Sequence, residues 1–199
     1  MNKEIEQVAQ DLYRNYKSAF DLVFKYAMSF DNDETSSISN KIDELIANQA
    51  NIKPFHGNKT YRRFQPVYLV SNLDILKSHG LVAPDGDLEN NWVFLFEFNI
   101  RKNKVNFDCK VGDGDQATRK KLYDIYKKYP DVFSKKQLNK ELSPQWHLVF
   151  QREILSKDEI ANYLSDENSE KILTERFNKL IKNDIQNIVS CIKSEIEKP

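Results

Sequence analysis

The chain has 199 residues, enough for one well-packed domain. Its 30 Lys and Arg balance 30 Asp and Glu, which argues against attachment to nucleic acid by bulk charge while leaving room for a local basic patch. With 30% charged and 40% hydrophobic residues the composition is that of a soluble chain, and no apolar run approaches the roughly 20 residues of a membrane span. Met1-Asn2-Lys3-Glu4 lacks the charged-then-apolar pattern of a signal peptide, so a cytoplasmic location is expected. Cys109 and Cys191 cannot make a disulfide framework and read as reduced core thiols.

Apolar residues at three- and four-residue steps (Ile5, Val8, Leu12, Tyr16, Phe20, Val23) predict a long helix over 3–29. A polar break at 31–37 and a second helix over 39–49 follow. Pro54 and Gly57 mark 51–58 as loop. Residues 60–70 read as strand, with Pro66 confining it to an edge or splitting it. A short helix runs from the cap Asn72 to Ser78, with Gly80 placed to end it.

The clearest structure is the hairpin that follows. Trp92, Phe94, Phe96, Phe98 and Ile100 alternate with Val93, Leu95, Glu97 and Asn99. Beyond the turn at 101–104, where Asn103 suits a left-handed backbone, Val105, Phe107, Cys109 and Val111 alternate with Asn106, Asp108 and Lys110. The polar sets should coincide, giving a sheet with one dry and one wetter side. Asp115 caps a helix that Pro130 ends, Ser134-Lys135-Lys136 reads as an exposed loop, and 146–155 is a further strand. A capping box at Ser156–Glu159 and a helix over 170–196 complete the chain. The fold class is α+β: an antiparallel sheet with a central hairpin, covered by long N- and C-terminal helices. It forms a single domain over 1–199, helical at 1–50, sheet-containing at 60–155 and helical at 156–199.

Several constellations bear on chemistry. Pro84-Asp85 with Asp108-Cys109-Lys110 satisfies the written pattern of a PD-(D/E)XK nuclease, in which carboxylates hold a divalent metal such as Mg²⁺ and the lysine stabilises developing charge. Glu97 on the opposing strand would complete the acidic cluster. Against this, Pro-Asp-Gly is a common turn signal, and an Asp-x-Lys pair suits any amphipathic hairpin. The extended path between Asp85 and Asp108 also separates them, so a metal-free, non-catalytic chain is the first expectation. Gly112-Asp113-Gly114-Asp115 resembles a phosphate loop in outline but lacks its lysine, and reads as a structural turn. The three histidines show no ligand spacing. Arg62, Arg63, Arg119, Lys120 and Lys127, with tyrosines interleaved, are candidates for a surface that meets nucleic acid or a protein partner; a solvated charged face is the plainer account.

Leu95-Phe96-Glu97-Phe98, Val111-Gly112-Asp113-Gly114, Arg119-Lys120-Lys121-Leu122 and Trp146-His147-Leu148-Val149-Phe150 together resemble a C-terminal accessory region of some bacterial PD-(D/E)XK superfamily proteins. The likeness covers roughly 60–160, with Asp113 where the usual loop has proline. In those proteins the catalytic carboxylates lie upstream in a separate core, so the resemblance carries no catalytic residue to this chain. It implies an accessory or binding module of a prokaryotic or phage protein, linked to nuclease-based defence or counter-defence; the alternative is a metal-dependent nuclease using Asp85, Glu97, Asp108 and Lys110.

Overall fold

The computed structural model describes residues 3–87 and 93–198, without the side chains of 3–4, 6, 9 and 24–33. Trp92, expected to open the central strand, lies outside these residues. The described strands make one antiparallel sheet in chain order: β1 (Ile52–Asn58), β2 (Tyr61–Pro66), β3 (Phe94–Arg101), β4 (Lys104–Val111) and β5 (His147–Leu155). The α+β class is thus as the periodicity predicts.

Alternation sets the sheet's two faces. Phe96 opposes Cys109, Phe98 opposes Phe107, and Phe64 of β2 opposes Phe96. All five are at most 1% exposed, and the Phe64, Phe98 and Phe107 rings pack with centroids 5.6–5.9 Å apart. Three helical segments close this face. The end of α1 (Lys3–Ala47) buries Ile38, Ile42, Leu45 and Ile46. Helix α7 (Ser169–Lys179) stacks Phe177 on Phe98 at 5.5 Å. Helix α4 (Gln116–Lys127) sets Tyr126 against the Cys109 thiol, which burial pushes up to about 12 and so keeps protonated and inert.

Several elements differ from expectation. No break occurs at 31–37, where polar residues include neither glycine nor proline and helix remains permitted; instead α1 departs from helical geometry at Tyr16 (φ −124°, ψ 24°). Its last third covers the sheet, while Ile5, Val8, Leu12, Tyr16 and Val23 of its earlier turns are exposed. Residues 52–58 form β1 rather than loop. Pro54 is tolerated because β1 is an edge strand, with its register shifting between Pro54 and Gly57. Pro66 ends β2 and leads into α2 (Val67–Ser71), followed by α3 (Leu73–Ser78) and Gly80 at φ +61°. The hairpin loop is the pair Lys102–Asn103. No described non-glycine residue has positive φ, so Asn103 does not take the left-handed form.

Asp115 caps α4 through Thr118 N–H at 2.8 Å, as its position predicts. The expected loop at 134–136 contributes to a short helix, α5 (Lys135–Leu138). Both halves of the capping box at Ser156 and Glu159 form, but α6 (Lys157–Ala161) is only five residues long. The expected terminal helix is α7, a π-helical segment at Leu180–Ile185, and α8 (Gln186–Ile196).

Replacing Phe96 by Ala removes a ring that touches both Phe64 and Phe107. The unfolding free energy should fall by about 3–5 kcal/mol, read as a lower urea midpoint at unchanged slope. An unmoved midpoint would show the dry face to be wrongly assigned.

Candidate functional site: the polar face of the sheet

Register turns the opposite face of the hairpin into a ladder of four rungs. Arg101 opposes Lys104, Asn99 opposes Asn106, Glu97 opposes Asp108, and Leu95 opposes Lys110. Two of these rungs pair like charges, which directly opposed strand positions disfavour.

The acidic rung is compensated. Glu97 and Asp108 are 4% and 6% exposed. Glu97 Oε2 accepts from Arg63 Nε at 2.9 Å, and Oε1 from Lys110 Nζ at 2.5 Å and Asn99 Nδ2 at 3.0 Å. Asp108 Oδ2 accepts from Asn99 Nδ2 at 2.7 Å and faces Lys110 Nζ at 3.1 Å. Its Oδ1 accepts from Gln151 Nε2 of β5 at 2.8 Å. Two cations thus balance two anions, and all four carboxylate oxygens carry a donor. Burial pushes the Glu97 carboxyl up, but Lys110, Arg63 and Asn99 outweigh it and hold the group below its ordinary range.

This cluster brings together Glu97, Asp108 and Lys110 of the nuclease pattern but not Asp85. Asp85 is exposed, in a turn closed by Gly86 N–H on the Ala83 carbonyl. Among the described residues no three His, Cys, Asp or Glu side chains converge as a metal site. The position between the two carboxylates is filled by the Lys110 ammonium. Mg²⁺ takes nearly octahedral oxygen ligation at about 2.0–2.1 Å, so the donor set does not fit it without displacing Lys110 and Asn99.

The basic candidates separate. Arg62 lies on the dry-face side, bonded to Asp43 Oδ1 at 2.5 Å and to the Asn58 carbonyl. Arg63 lies on the polar face, its guanidinium 4.3 Å from the Tyr61 ring centre and 5.7 Å from that of Trp146. Arg119 is fully buried, which removes it from any surface. Its nitrogens donate to the carbonyls of Gly112, Ser143, Pro144 and Gln145 at 2.6–2.7 Å. Only Lys120 and Lys127 come together, lining a groove of about 790 Å³ beside α4 with Tyr123, Lys135 and Lys140. There Lys120 pairs with Asp124 at 2.7 Å and Lys127 lies 4.4 Å over Tyr123.

His147 works with Arg119. Its Nδ1 accepts from the Ser143 N–H at 3.1 Å, so Nε2 carries the proton and donates to the Gln137 carbonyl at 3.1 Å. Together Arg119 and His147 fix the segment that delivers Trp146. Composition reveals nothing of this, and no local signal marks Arg119 as facing inward.

A hollow of about 450 Å³ on the same face is lined by Asn99, Arg101, Lys104, Asn106, Asp108 and Gln151, of which sequence reasoning left out Arg101 and Gln151 as site residues. Counting back from a two-residue loop would have paired Arg101 with Lys104.

Because the folded Glu97 value lies below the ordinary 4.5, its stabilisation is present above that range and lost as pH falls through the folded value. At pH 7, Glu97→Gln should cost about 2–4 kcal/mol, less than a fully buried pair because Arg63 and Lys110 side chains keep 16% and 18% exposure. Between pH 7 and pH 3 the urea midpoint should drop further in the wild type than in Glu97→Gln, while the shared drop from Glu159 and Glu195, both held near 2 by their ion pairs, persists. Equal drops would remove Glu97 from the pH response. No protein-family model matches this chain, and neither a curated protein nor a solved structure resembles it.

Proposed function

We propose that the chain is a non-catalytic binding module whose working surface is the polar face of the sheet, engaging a protein or a nucleic acid. One observation carries this reading: each oxygen of Glu97 and Asp108 already has a donor, and Lys110 stands between the two groups. A carboxylate bound this way is poorly available to ligate a metal or take a proton. It holds its neighbours in fixed positions, as a recognition surface requires. A place beside a nuclease in prokaryotic or phage defence is carried by the resemblance over 60–160 alone.

The metal-dependent nuclease is the alternative that the test must remove. Incubation with single- and double-stranded DNA and RNA in Mg²⁺ or Mn²⁺ should leave every substrate intact, at protein concentrations where a nuclease would turn over many times. Cleavage by the wild type that disappears in Asp108→Ala would overturn the binding-module reading.

A further inference from the structure

The two like-charge rungs of the hairpin are treated differently. Glu97 and Asp108 are neutralised on every side. Arg101 and Lys104, directly opposed across the strand pair, are exposed and have no acidic partner among the described residues. Directly opposed like charges repel, and the rung lies at the mouth of the 450 Å³ hollow.

Inside that hollow lies a second unfinished group. Asn106 is 5% exposed and its carboxamide has no hydrogen-bond partner among the described residues, while its rung partner Asn99 donates through Nδ2 to both Glu97 and Asp108. The polar atoms of Asn106 reach the solvent of the hollow, where a bound group can take the place of water. The carboxamide offers a donor and an acceptor side by side, the arrangement that matches the edge of a nucleobase. The Arg101 and Lys104 cations next to it match a phosphate, which arginine grips through paired N–H groups. The hollow's volume falls within the range of small-molecule sites.

We propose that this hollow binds a nucleotide, with the phosphate held by Arg101 and Lys104 and the base edge read by Asn106. The proposal rests on the reading of the polar face as a binding surface and names what it takes. The nucleotide is either free or part of a single strand, and the chemistry at the rung is the same. Glu153 of β5, the cross-strand partner of Asn106, is exposed, and Asp108, which lines the hollow, is paired with Lys110, so the unpaired cations at the turn are where a phosphate is favoured.

Calorimetry with adenosine monophosphate and with inorganic phosphate tests the free form, and fluorescence anisotropy with labelled single strands of about ten nucleotides tests the polymer. The variants are Arg101→Ser/Lys104→Ser, Asn106→Leu and, as control, Lys127→Ala on the separate α4 groove. Relieving repulsion at an exposed rung should leave the thermal midpoint of the double variant unchanged or raised. Binding should weaken about tenfold or more in the double variant and in Asn106→Leu, and stay within about twofold in Lys127→Ala. Binding to the monophosphate with no gain from the strand assigns the free nucleotide. A gain with length, and a log-affinity slope on salt of about 0.7 per phosphate, assigns the strand. No binding by either probe, nucleotide binding no tighter than inorganic phosphate, or loss only in Lys127→Ala would overturn the nucleotide site and leave the binding module with a protein partner. Metal-dependent cutting of the strand would instead overturn the binding-module reading itself.

Discussion

The structure depends on the aromatic packing of Phe64, Phe96, Phe98, Phe107 and Phe177. Four of these rings come from three adjacent strands and one from α7, and each is at most 1% exposed. Because strand side chains alternate, a slip of one residue would move these rings to the polar side. The aromatic face therefore locks the register, and the locked register decides which residues meet on the other side. The opposition of Glu97 to Asp108 follows from the packing of Phe96 and Phe98.

That dependence explains the character of the polar face. Two carboxylates forced together in a nearly dry setting need compensation, and the chain supplies it from four strands: Arg63 from β2, Asn99 from β3, Lys110 from β4 and Gln151 from β5. The cluster thereby ties four strands together through side chains as well as through the backbone ladder. Breaking any one member leaves a charged group half-buried, which is why such clusters hold a single arrangement.

Much of this was legible in advance. The alternation in β3 and β4, the cap at Asp115 and the capping box at Ser156 are local signals, and each forms as read. Strand β1 was not legible, because Pro54 and Gly57 are punctuation in any local reading and become tolerable only once the strand is known to lie at the edge. The single helix at the N-terminus was hidden because polar residues at 31–37 mimic a break without enforcing one. Within the candidate site, the proximity of Glu97, Asp108 and Lys110 could be counted from the hairpin. The burial of Arg119 could not, since nothing local distinguishes a guanidinium aimed at carbonyls of the 143–145 segment from one in solvent.

The two edges of the sheet carry a further consequence. At β1, Pro54 has no N–H to offer, and the register shift before Gly57 interrupts the ladder. At β5, the carbonyl of Val149 is taken by the Ser134 N–H at 2.9 Å and that of Ile154 by Arg176 at 2.8 Å. Arg152 and Glu153 add exposed charge along the same strand. A free strand from another molecule thus finds no unbroken row of donors and acceptors at either side, which guards a phenylalanine-rich sheet against pairing edge to edge into fibrils.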